Sequence, residues 1–157
     1  MKKGDRSLEE AIAQEKGPLS QLVLKYTHVM KQLLDSAKNN PDFTAESWAP
    51  LAELVDVENF ERVGTFKEVV NWKEYAQLLT QWARAAEWYP RVRRITERPG
   101  LVFLELAEDY DHSGMKESIF STSVYEFNEN NKLRHLDIYM QREQIPFAQG
   151  SWDVEKA

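Results

Sequence analysis

The sequence predicts an α+β domain in which a curved and mostly antiparallel β-sheet wraps around N-terminal helices. Three observations carry this expectation. Residues 117 to 141, ESIFSTSVYEFNENNKLRHLDIYMQ, form two runs of alternating character about the polar turn Glu129-Asn130-Asn131, the pattern of a long β-hairpin. Apolar residues at helical spacing fall mostly in the first half of the chain and strand-like runs mostly in the second. On the second arm of the hairpin Leu136, Ile138 and Met140 share one face, while His135, Asp137, Tyr139 and Gln141 take the other. One face of the sheet therefore needs helices to cover it, and the mixed face is left for water or a second subunit.

At 157 residues the chain fits one domain with one core. The expected organisation is an N-terminal extension over 1–17, the domain over 18–142 and a C-terminal tail over 143–157. A hydrophobic content of 42% with 29% charged residues excludes disorder throughout. The net charge of -6 argues against nucleic acid as a partner, because phosphate contacts need a surplus of Lys and Arg. The basic stripe Arg91-Val92-Arg93-Arg94 reads instead as a half-exposed strand. Without cysteine there is no disulfide or thiolate chemistry. No apolar run suits a secretory signal or a membrane span, so a cytoplasmic protein with no membrane partner is expected.

Taken in order, Ser7 and Glu10 have capping-box spacing before LEEAIAQEK, a short and mostly polar helix able to pack on a neighbour. Pro18 suits the first turn of a helix over 18 to 37, with Leu19, Leu22, Tyr26, Met30 and Leu33 at helical spacing. Lys38-Asn39-Asn40-Pro41 ends it. Thr44 caps a shorter helix through Trp48, Leu51, Leu54 and Val55 that Pro50 interrupts near its first turn. VENFERVGTF, residues 57 to 66, reads as a strand with a bend at Gly64. Asn71 and Glu74 repeat the capping-box spacing ahead of a helix whose Trp72, Tyr75, Leu78, Leu79 and Trp82 line one side. Strands near 91–96 and 101–107 follow, separated by the Pro99-Gly100 turn, and EDYDHSGMK reads as the loop into the closing hairpin. In the tail, Ile145, Phe147 and Trp152 are expected to dock on this domain or on a partner.

No phosphate loop, GxGxxG, GxSxG or HExxH is present, so no cofactor is expected. His28, His112 and His135 lack ligand spacing, and Asp109, Asp111 and His112 read as a solvated turn, so no metal is expected either. What remains is acid-base chemistry by carboxylates and tyrosine in an apolar cavity. Glu105 interrupts the apolar run LVFLELA. It either faces a cavity, where burial poises it for proton transfer, or pairs on the outer face with an arginine of a neighbouring strand. Glu61 alternates with Arg62, and only one of the two faces inward. Tyr26, on the apolar side of the first long helix, is either a pocket hydrogen-bond donor or the polar tip of a core aromatic.

The order of KYTHVMKQLL, VENFERVG, NWKEYAQLL and SVYEFNENNKLRHLDIYMQ resembles the nuclear-transport-factor-2-like (NTF2-like) superfamily, near its SnoaL-like and ketosteroid-isomerase-like branches, over residues 18 to 142. The resemblance implies the cone fold and leaves the activity open, since this fold hosts isomerases, dehydratases, epoxide hydrolases, cyclases and non-catalytic binders. In the isomerase pattern the oxyanion tyrosine falls at Tyr26, the general base near Glu61, which favours Glu61 inward, and the second oxyanion group at Ser123. In the epoxide-hydrolase and cyclase patterns a last-strand acid falls at Ile138, which moves no proton, and the strand-three acid near Glu105. The implied pocket is lined by Tyr26, Trp82, Phe103, Tyr125, Leu136, Ile138 and Met140 and takes a small hydrophobic molecule. Two functions follow as expectations: an isomerase or dehydratase using Glu61 or Glu105 with Tyr26 and Ser123, or a non-catalytic binding protein. The mixed outer face, with His135, Asp137, Tyr139, Val124 and Glu126, is the expected contact of a homodimer.

Overall fold

A computed structural model describes residues 4–143. The docking expected of Ile145, Phe147 and Trp152 falls outside that range. Six strands form one mixed, curved and unclosed sheet: β1 (Glu61–Val63), β2 (Val69–Val70), β3 (Ala86–Arg98), β4 (Leu101–His112), β5 (Met115–Phe127) and β6 (Leu133–Gln141). Their spatial order is β2-β1-β6-β5-β4-β3. β1 runs parallel to β6, and every other pair is antiparallel. Register shifts between Val92 and Arg94 and between Glu126 and Phe127 put bulges into long strands, which is how a sheet is made to bend.

Three strands differ from the sequence expectation, each for a tertiary reason. The run 57–66 supplies only the three residues of β1, because Gly64 to Glu68 turn back to β2 through a Gly64 N to Glu68 O hydrogen bond of 2.9 Å. β3 begins at Ala86 rather than 91, with Pro90 inside it. A proline without an N–H is tolerated there because β3 is the edge of the sheet. EDYDHSGMK is not a loop: β4 continues to His112 and β5 begins at Met115, joined by Ser113 and Gly114 at φ 55 and 88. Those are the left-handed angles of a two-residue hairpin turn. Pairing with β3 on one side and β5 on the other overrides the low strand propensity of Glu108, Asp109 and Asp111.

The helices cover the concave side. α1 (Leu8–Gln14) starts at Ser7, whose hydroxyl accepts from the Glu10 amide at 3.1 Å. It packs on its own domain, with Leu8 and Ala11 buried and Arg6 exchanging backbone bonds with Val92 on the free edge of β3. α2 (Pro18–Ala37) buries Leu19, Val23, Tyr26, Met30 and Leu34 and lies against β3 and β4. The expected second helix is shorter, a 3₁₀ turn Ala45–Trp48 running into α3 (Ala49–Ala52). Trp48 is fully buried there and donates Nε1 to Thr80 Oγ1 at 2.9 Å. α4 (Trp72–Ala83) opens with the expected capping box: Asn71 accepts from the Glu74 amide at 2.9 Å, and Glu74 accepts from the Asn71 amide at 3.1 Å. Among the described residues no helix is long and apolar enough to cross a membrane.

Candidate functional site

Between these helices and the concave face of the sheet lies a cavity of about 700 Å³. Tyr26, Thr27 and Met30 of α2 and Tyr75, Leu79 and Trp82 of α4 form one wall. The other wall comes from alternate residues of the sheet, because only every second side chain of a strand points to the same face: Leu106, Glu108 and Tyr110 of β4, Ile119, Ser121, Ser123 and Tyr125 of β5, Leu136, Ile138 and Met140 of β6. His112, Met115, Lys116, Arg142 and Glu143 stand where the β4-β5 turn and the end of β6 meet.

One carboxylate is buried in this wall. Glu108 is 5% exposed, and its Oε1 accepts from Trp88 Nε1 at 2.8 Å and from Tyr110 OH at 2.9 Å. Both bonds fall on one oxygen, so Oε2 has no donor among the described residues. Trp82 packs edge-on against Tyr110, with ring centroids 5.4 Å apart, which holds the tyrosine in place as a donor. Burial, followed by the Glu108 charge and the hydrogen bond to it, pushes the Tyr110 hydroxyl far above its usual pKa.

Across the cavity the Tyr26 ring meets Tyr125 edge-on at 5.8 Å. Its hydroxyl is buried without a hydrogen-bond partner among the described residues. Burial pushes that hydroxyl well above its usual pKa, the neighbouring Tyr75 and Tyr125 add to the effect, and the Arg62 guanidinium works against it. Tyr125 is likewise raised by burial, with Thr27 acting the other way. These phenols stay neutral, so each keeps its O–H. Arg62 also lines the cavity, its guanidinium 4.8 Å from the centre of the Tyr75 ring.

No family model and no curated protein matches the sequence. Solved structures do match the fold. A protein assigned as a SnoaL-like polyketide cyclase from Shewanella putrefaciens CN-32 is similar at TM-score 0.61 and 11% identity, over 80% of this chain and 91% of that one. The fold is NTF2-like. A protein assigned as an isomerase from Rhodopseudomonas palustris is similar at TM-score 0.59 and 14% identity, over 77% of this chain and 90% of its own. An NTF2-like protein of unknown function from Cytophaga hutchinsonii ATCC 33406 is similar at TM-score 0.55 and 14% identity, over 82% and 94%. Neighbours on this fold differ in chemistry, so the fold does not choose the reaction.

The NTF2-like frame places the sequence-read residues in two groups. Tyr26, Ser123, Trp82, Tyr125, Leu136, Ile138 and Met140 all line the cavity. Glu105, Phe103 and Glu61 do not, which corrects the expected pocket. Glu105 and Phe103 sit on the outer face of β4, and Glu105 pairs with Arg94 at 2.6 Å. Glu61 points outward, 3.4 Å from His135 Nδ1, and Arg62 takes the inward position. The reason is register: Arg62 lies opposite Leu136, an inward residue of β6, and Glu61 opposite His135. A guanidinium stacked on an aromatic ring is also easier to desolvate than a bare carboxylate. Glu108, Trp88 and Tyr110 escaped the sequence reading, and Arg62 stood in it only as the alternative to Glu61 for the inward position. The signal for Glu108 was the continuing parity of Leu104, Leu106, Glu108 and Tyr110.

On the outer face Glu126, His135 and Asp137 bring ligand-type atoms within 4.8 Å of one another. His135 Nε2 is 2.9 Å from Asp137, and the trio clusters on the side turned away from the cavity. Asp109, another acid of the supposed loop, is engaged by Arg91 at 2.6 Å and Ser118 at 2.6 Å.

Proposed function

We propose that the cavity takes a small, largely hydrophobic molecule and moves a proton on it, as an isomerase or dehydratase does, with Glu108 as the base. The observation that carries this reading is the state of Glu108: two donors fix one carboxylate oxygen and leave the other without a donor on the cavity wall. Glu108 Oε2 takes a proton from a carbon beside a carbonyl, and the neutral Tyr26 hydroxyl donates to the oxygen on which charge develops. Returning the proton to a second carbon isomerises the substrate; expelling a β-hydroxyl as water dehydrates it. Ser121 and Ser123 supply further polar contacts on the sheet wall.

The test is deuterium uptake from heavy water into a panel of small ketones and enones, followed by NMR. Glu108→Gln keeps an acceptor for Trp88 and Tyr110, yet is expected to lose about 10²–10⁴ of the rate. Tyr26→Phe is expected to lose about 10² or more. A Glu108→Gln protein that exchanges at the wild-type rate removes the reading. Support for a second role, a homodimer, comes from the outer face, where Phe120 is 37% and Tyr139 61% exposed beside Val124 and Phe103. Sedimentation as a monomer at micromolar concentration overturns it.

A further inference from the structure

We infer that the ligand of this cavity carries a carboxylate at one end of an apolar body, and that Arg62 reads it. This rests on the proposal that the cavity is a ligand site, and it names the class of ligand. Arg62 presents five N–H donors in a planar fork. It stands on β1, in register with the buried Leu136, so its side chain enters the cavity face. Among the described residues it has no ion-pair partner, and its Nε is buried without any hydrogen bond.

Neither nearby acid forms an ion pair with it, although both keep their charge. Glu68 accepts from the Phe66 amide at 2.9 Å through Oε2, while its Oε1 shares the space over Gly64 with Arg62 Nη1 without closing to an ion pair. Glu108 is held by Trp88 and Tyr110 on its own wall. The Tyr75 ring under the guanidinium offers only its π face. An inward guanidinium costs desolvation, and an anion bound in fork geometry offsets that cost where the ring alone does not.

A second donor points the same way. The Tyr26 hydroxyl, 3% exposed as a residue, closes no hydrogen bond among the described residues, has only the Tyr75 hydroxyl beside it as a candidate partner there, and feels the Arg62 charge. Arg62, the Tyr26 hydroxyl and the apolar Met30, Leu79, Trp82, Ile138 and Met140, within a lining that also holds Glu108, Lys116 and Arg142, describe a binding site for an acid with an apolar body. A neutral alcohol or hydrocarbon of the same length would leave Arg62 as it is.

The experiment compares octanoate with 1-octanol at neutral pH, read by calorimetry and by tryptophan fluorescence, since Trp82 and Trp88 line the cavity. The wild-type protein is expected to bind octanoate about 10-fold to 100-fold more tightly than octanol, the range of a charge-assisted hydrogen-bonded contact. Arg62→Gln is expected to abolish the preference while octanol binding stays within about twofold, and Arg62→Lys to keep part of it. Octanoate binding no tighter than octanol in the wild type overturns the carboxylate inference and leaves the apolar pocket standing. If neither binds, the pocket reading falls with it. A preference that survives intact in Arg62→Gln, with the variant folded by circular dichroism, removes Arg62 as the reader.

Discussion

Two glutamates three residues apart on β4 should respond to truncation in opposite ways. Glu108→Ala removes the acceptor shared by Trp88 Nε1 at 2.8 Å and Tyr110 OH at 2.9 Å, both on the buried side of the sheet. Each stranded donor costs about 1–3 kcal/mol, and water entering the cavity recovers part, giving about 2–4 kcal/mol in all. For a domain of this size that lowers the melting temperature by about 5–15 °C. Glu105→Ala breaks only the pair with Arg94, whose side chain is 68% exposed, and should cost at most about 1 kcal/mol, less in high salt. Glu108→Gln, which keeps an acceptor oxygen in place, should lie within about 1 kcal/mol of wild type. Thermal unfolding followed by circular dichroism, with urea midpoints at unchanged slope, measures all three. A Glu108→Ala protein as stable as Glu105→Ala would refute the two-donor picture. So would a Glu108→Gln protein as damaged as Glu108→Ala.

Removing residues 1–17 uncovers the free edge of β3 where Arg6 bonds Val92, together with the surface under Leu8 and Ala11. An open strand edge templates further pairing, so the truncated chain should elute as higher oligomers in size-exclusion chromatography; an elution profile matching the full chain contradicts this. Asp109 is held below the usual carboxylate range first by the Ser118 hydroxyl and then by Arg91. A carboxyl depressed in the folded state contributes stability above its unfolded value of about 4, lost as pH falls through the folded value. Asp109→Asn should therefore flatten the decline of the urea midpoint below about pH 4, and an unchanged slope in that range refutes the assignment.

The closing hairpin was legible because its alternation is uninterrupted and local: Tyr125 and Leu136 face inward in register, as parity alone dictates. The start of α4 was legible for the same reason, since Asn71 and Glu74 satisfy each other within four residues. Glu108 was hidden because EDYDHSG has the composition of a turn, and only pairing with strands on both sides, a non-local fact, makes it a strand. At β1 three residues alternate once, so the local sequence does not say whether Glu61 or Arg62 faces in; the register against β6 decides. Parity ties the two glutamates of β4 together. An odd separation on a regular strand puts them on opposite faces, and the register shift in this region falls on β3, not β4. Once Arg94 of the neighbouring strand holds Glu105 outside, Glu108 has to enter the cavity. The outer pairing weighed for Glu105 thus implies an inward acid three residues later, provided the strand is allowed to run on to Ser113-Gly114.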